Sequence, residues 1–231
     1  MTGTLGALAM ATVLFVASHL VFSYPTVRAP LVARFGEAVF RVAYSILSLA
    51  LLVWMVLAYR DAPIVDAFLP PIGLQHLSLL IMPFACVFLI AGLTTANPSA
   101  LVGSPGKHLQ TGPVGIVKIT RHPVMWGFAL WGIAHLLANG DVASLILFGG
   151  ITVLALTGAW AQDNKKRRQF GQVWDGFARR TSFVPFAALI GGRVRMSFAE
   201  VGWRRLSLGL ALYGGLLWLH PWLFGVSPLP L

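Results

Sequence analysis

Residues 120–168 read TRHPVMWGFALWGIAHLLANGDVASLILFGGITVLALTGAWAQDNKKRR, and this pattern decides the fold. Two apolar runs, 123–138 and 142–162, are separated only by Asn139-Gly140-Asp141, a tight-turn sequence. The first opens on Pro123, a first-turn position where a missing N–H costs nothing. It reaches about 24 Å at helical rise, so it must tilt little or start within the headgroup layer. Lys118 and Arg121 precede the first run and Lys165–Arg168 follow the second, while the turn between them carries no cation.

The rest of the chain extends this reading. Of 231 residues, 57% are hydrophobic and only 10% charged, whereas soluble domains carry about 25% charged residues. Four more apolar segments, 4–24, 37–58, 74–95 and 204–224, are long enough to cross a bilayer. The expected architecture is all-α: one polytopic membrane bundle over residues 1–231 with six spans. Pro25, Pro70-Pro71 and Asn97-Pro98 punctuate the breaks. The first segment lacks a basic n-region and is too long for a typical signal-peptide core, so it reads as a span. A net charge of +10 on so apolar a chain points to anionic lipid, not to nucleic acid. The lone cysteine, Cys86, allows no internal disulfide, and no C-x-x-C-H exists to attach a c-type haem.

The loops alternate in charge. The first, third and fifth carry Arg28 and Arg34, then Lys107, Lys118 and Arg121, then ten cations between Lys165 and Arg205. The second sets Arg60 against Asp61 and Asp66, and the fourth has no cation. The odd loops therefore face the cytoplasm of a bacterial inner membrane, and both termini face the periplasm. Within the basic segment of about 163–203, Phe170, Trp174 and Phe177 recur at helical spacing. They predict an amphipathic interfacial helix, aromatics in the acyl region and cations on anionic headgroups at the cytoplasmic face. A plain extension packed on the bundle is the competing reading.

Histidines stand out in such a chain. His19, His122, His135 and His220 lie in or at the edge of spans, where a polar group needs a reason. His76 starts the third span and His108 sits in the third loop. An imidazole bonded to a carbonyl is one such reason, and metal ligation is another. Carboxylates are nearly absent from the spans, so a zinc site with three or four protein ligands is hard to assemble. Two imidazoles suffice for a haem iron, and an apolar bundle suits a porphyrin.

The ordered pattern ITRHPVMWGFALWGIAH, followed by RRTSFVPFAALIGGR, resembles the NnrU family, as do ASHLVFS and FRVAYSILSLALLVW near the start. The resemblance covers most of the chain. It implies a bacterial membrane protein associated with nitrite and nitric oxide metabolism in denitrifiers, with a denitrification reductase or electron-transfer partner. It also extends to the 15-cis-zeta-carotene isomerases of plants and cyanobacteria, haem b enzymes that change axial ligation. The resemblance places the axial ligands on His19 and His135, and an alternative cysteine ligand on the position here occupied by Gly132. A redox-dependent, isomerase-like activity is implied, without a cysteine to exchange.

Depth gives a different ranking. His19 lies about 7 Å from the inner end of its span and His135 about 18 Å above Pro123, so depth alone prefers His19 with His122. His122 stands as the reserve ligand or a propionate-binding group, and Arg121 and Lys118 as cations for the haem propionates. A rival class exists. Arg-His-Pro at a span start also resembles membrane methyltransferases that use S-adenosylmethionine, whose later pair of glutamates corresponds to Gln162-Asp163 here.

Overall fold

The computed structural model describes residues 2–99, 109 and 112–230, so Lys107 and His108 fall outside the described residues. Among the described residues, eight helices of eight or more residues carry the fold: α1 (Leu5–Ser23), α2 (Pro25–Phe35), α3 (Glu37–Asp61), α4 (Ile72–Thr94), α5 (Pro123–Ala138), α6 (Val142–Phe170), α7 (Gln172–Arg179) and α8 (Trp203–Phe224). Single helical turns at Gly115–Lys118, Ala187–Ile190 and Phe198–Val201 lie in the connections. Among the described residues there is no strand, and the one isolated bridge pairs Asp66 with Asp141. Five helices are long and apolar enough to cross a membrane, and α5, with 16 residues, is the shorter apolar helix expected.

Local chemistry explains the boundaries. The Thr4 hydroxyl accepts from the Ala7 amide at 3.1 Å, and Asp141 caps α6 by accepting from the Ser144 amide at 2.8 Å. Pro25 stops the first span, but at N1 it also starts α2, so the first loop is helical. α6 runs past the expected end at 162 because no Gly or Pro falls between that point and Gly171, where φ is +51°. Lys165–Arg168 therefore sit on a continuous helix.

Across the bundle the helices pack in the order α3–α1–α6–α5–α4–α8. Small residues allow close approach. A Cβ on Gly127 of α5 would meet the Ala85 carbonyl oxygen of α4 at 3.1 Å, and one on Gly209 of α8 would meet Val87 Cα at 2.7 Å. Leu8, Ala11, Met55, Leu147 and Phe148 form one core cluster, away from the basic loops. At the basic end a second gathers Phe88, Ile116, Val117, Trp174 and Phe177.

That second core corrects one expectation. α7 forms and its aromatics do share a face, but Trp174 and Phe177 are fully buried in the protein and not turned toward acyl chains. Burial among Phe88, Ile116 and Val117 gives the rings protein packing where lipid was expected.

Candidate functional site

The Arg-His-Pro segment and the TSFVP segment at 181–185 are stitched together at the basic end. The Arg121 amide donates to the Ser182 carbonyl at 3.0 Å, and the Phe186 amide to the Ile119 carbonyl at 2.8 Å. The Thr120 hydroxyl donates to the Phe183 carbonyl at 2.7 Å, and the Trp126 indole N–H to the same carbonyl at 2.8 Å. Asn97 donates from Nδ2 to the Arg121 carbonyl at 2.9 Å, tying in the end of α4. Phe186 holds a left-handed φ of +66°, a strained setting for a non-glycine residue that these bonds maintain.

This frame aims three charged or titratable groups at one point. Arg121 Nε lies 2.9 Å from each Asp163 carboxylate oxygen, and its NH2 bonds Oδ2 as well. His122 Nε2 lies 2.7 Å from Asp163 Oδ1. The three are nearly removed from solvent: the side chains are 12% exposed for Arg121, 9% for Asp163 and 0% for His122. Because a carboxylate beside Arg121 accepts and does not donate, the imidazole carries its proton on Nε2. Its Nδ1 is then a bare acceptor, buried and without a partner among the described residues. Burial pushes the His122 pKa down, against the opposing pull of Asp163, so the ring is neutral. The arrangement is a buried Arg⁺–Asp⁻–His⁰ cluster.

The sequence reading overlooked Asp163 as its centre and treated it as the remnant of an acidic pair. A signal existed: a lone acid at the end of a long apolar helix needs a cation. The two cations expected for haem propionates both have carboxylate partners here. Arg121 holds Asp163, and Lys118 Nζ sits 2.5 Å from Glu200 Oε2 and 3.1 Å from the Arg195 carbonyl.

His19 and His135 are placed differently. The Phe15 carbonyl, 2.7 Å away, can only accept, so His19 Nδ1 bears the proton; the ring stands 4.4 Å from Phe15 and 5.5 Å from Tyr44 of α3. His135 Nδ1 likewise donates to the Trp131 carbonyl at 2.8 Å, and its ring stacks on Phe148 of α6 at 4.5 Å. Nε2 of each has no hydrogen-bond partner among the described residues. His76 and His220 also donate from Nδ1, to Ile72 and Val226 carbonyls, but toward the opposite end of the bundle from the basic loops. Thr12 of α1 packs at Gly150 of α6. Counting residues from that contact, His19 lies about 10 Å toward the basic end and Phe148, with His135, about 3 Å the other way. His19 and His135 thus differ in depth by about 13 Å and are not in contact.

Gly132, one turn before His135, faces α6. A Cβ there would stand 2.2 Å from the Thr152 hydroxyl and 3.0 Å from the Phe148 carbonyl oxygen. A side chain there requires the Thr152 hydroxyl to turn away and the Phe148 carbonyl to yield by a few tenths of an ångström, so the position implied for a cysteine ligand is tightly packed against α6.

The NnrU protein model matches residues 7–228. A chloroplastic 15-cis-zeta-carotene isomerase of Zea mays is 30% identical over 165 residues, 70% of this chain and 44% of the maize protein. The Arabidopsis thaliana isomerase of the same name is 37% identical over 94 residues, 41% of this chain and 25% of that protein. The chain therefore spans less than half the length of these curated relatives. No solved structure matches. With a match running almost end to end, and through the Arg-His-Pro and TSFVP segments that build the buried cluster, the chain belongs to the NnrU family.

Proposed function

We propose that this chain is a membrane haem b protein in which His19 and His135 would hold the iron, with a redox-linked, isomerase-like activity in nitrogen-oxide metabolism. The observation that carries the reading is the orientation of the two imidazoles. Each donates Nδ1–H to a carbonyl one turn back, the arrangement that fixes a ligating ring and raises the basicity of its Nε2. Phe15 and Tyr44 wall one histidine, and Trp131 and Phe148 the other, with apolar surface suited to a porphyrin. His122 is a poorer ligand, because Asp163 already takes its Nε2 and the ring is wholly buried.

A bound haem b supplies one-electron chemistry at iron. The chain's own contribution is to orient both imidazoles by carbonyl bonds to Nδ1 and to wall them with aromatic rings. Isomerase-like activity rests on the names of the plant relatives; Gly132 offers no thiol for a ligand exchange at that position. The basic end faces the cytoplasm in this reading, against anionic lipid, and a denitrification reductase or electron carrier is the proposed partner. The methyltransferase alternative has less support, since Arg121 and His122 are both committed to Asp163.

The test is a spectrum. The full chain, purified in mild detergent from haem-replete cells, is expected to show a Soret band that shifts on reduction. His19→Ala and His135→Ala each disturb it, and His76→Ala does not. A colourless preparation sinks the haem reading, and saturable S-adenosylmethionine binding by that preparation promotes the alternative.

A further inference from the structure

A second feature of the basic end lies apart from the histidines. Where α8 begins, a shallow cavity of about 400 Å³ is lined by Thr94, Gly202, Trp203, Arg204, Arg205 and Leu208. Arg205 bonds only neutral oxygens: Nε to the Thr94 hydroxyl, NH2 to the Thr94 carbonyl and NH1 to the Val201 carbonyl, each at 3.1 Å. Arg204 is exposed and has no hydrogen bond or ion pair among the described residues. Glu200, the acid nearest in sequence, is held by Lys118.

Positive charge therefore accumulates here without a counter-ion among the described residues. The two guanidiniums also stand in the first turn of α8, at the positive end of the helix, with no acidic residue in that turn. Cations there are unfavourable unless an anion shares the space. The surroundings say which anion. Trp203 is 72% exposed and Leu208 58% exposed, at the point where a membrane-crossing helix emerges, the level at which tryptophan meets lipid headgroups.

We propose that this cavity binds the phosphate of an anionic phospholipid, between the Arg204 and Arg205 guanidiniums, with an acyl chain running past Leu208 along the outside of α4 and α8. Guanidinium suits phosphate because its planar fork bonds two oxygens at once. A choline headgroup is disfavoured because its own cation meets the arginine pair. The site shares no residue with the proposed haem ligands, so either reading can fail without the other.

The experiment is lipid titration of the full purified chain, read by native mass spectrometry, with phosphatidylglycerol and phosphatidylcholine of identical acyl chains. Phosphatidylglycerol is expected to bind more tightly. Arg204→Gln weakens it about fivefold and Arg204→Gln/Arg205→Gln about thirtyfold, at the attraction typical per basic residue. Lys165→Gln/Lys166→Gln makes the same charge change elsewhere on this end and leaves the preference in place. Equal loss in the two double variants overturns the site in favour of general surface attraction. Competition by free glycerol phosphate as strong as by the lipid overturns the lipid assignment. Arg205 bonds α4 and its loss risks the fold; Arg204 has no such bond, so an unchanged affinity in Arg204→Gln also overturns the proposal.

Discussion

Asp163 is the residue on which the basic end turns, since both Arg121 and His122 bond it in a nearly dry setting. Removing one partner of a buried ion pair leaves an uncompensated charge, at a cost of about 3–5 kcal/mol. Asp163→Asn is accordingly expected to lower the thermal midpoint sharply in detergent, while Asp175→Asn, on the exposed Arg167 pair, changes it little. His122 adds a pH dependence. Burial holds its folded pKa below the ordinary value, whereas the unfolded imidazole titrates near ~6.5. Above that pH neither state is protonated and the residue adds no slope. Below it the unfolded chain takes up a proton that the folded ring resists, so stability falls as pH drops. Thermal midpoints between pH 7 and 5 are expected to decline less steeply in His122→Gln. Sequence singled out Arg121 and His122 because polar groups at a span mouth are conspicuous. It could not pair them with Asp163, 41 positions beyond His122, because only the packing of α5 on α6 brings them together.

At the level of helices, breakers and caps were the readable part. Pro123 and Asp141 start α5 and α6 as backbone chemistry requires, and the short fourth span is the 16-residue helix expected. Legibility stopped where one residue type permits two outcomes. Pro25 ends one helix and begins the next, and the Trp174–Phe177 stripe says that α7 has an apolar face without saying what covers it. The partners of that face, among them Phe88 and Ile116, come from distant parts of the chain. Close approach is similarly invisible until helices are paired. Gly209 lets α8 touch Val87, and among the described residues α8 has no other substantial helix neighbour than α4. Gly209→Leu has to push against backbone as well as side chain, and overpacking of this kind costs about 1–3 kcal/mol. The expected result is a lower thermal midpoint with loss of the Tyr213 hydroxyl bond to the Leu79 carbonyl, 3.2 Å long here. Limited proteolysis at residues 191–202 checks it, because an α8 released from α4 loosens the segment that leads into it.

The arrangement of the whole bundle bears on the two proposed ligands together. In the order α3–α1–α6–α5–α4–α8, His19 looks from α1 toward Tyr44 of α3, while His135 sits on α5 against Phe148 of α6. α6 lies between α1 and α5, so a single group joining the two imidazoles would have to cover a depth difference of about 13 Å. An alternative occupancy, one group at each histidine, makes different demands, and stoichiometry separates them. A shared site gives one haem per chain, low-spin with two imidazoles. Loss of His19 or His135 then changes the coordination of that one haem, to a five-coordinate high-spin form or to complete loss, and the double variant is no worse than complete loss. Two independent sites give two haems per chain, and each single variant removes half the Soret absorbance while leaving the spectrum of the remainder unchanged. We expect the first pattern, measured as haem released per chain together with the electron paramagnetic resonance spin state of each variant. Half-loss in both single variants refutes shared ligation and assigns His19 and His135 to separate groups.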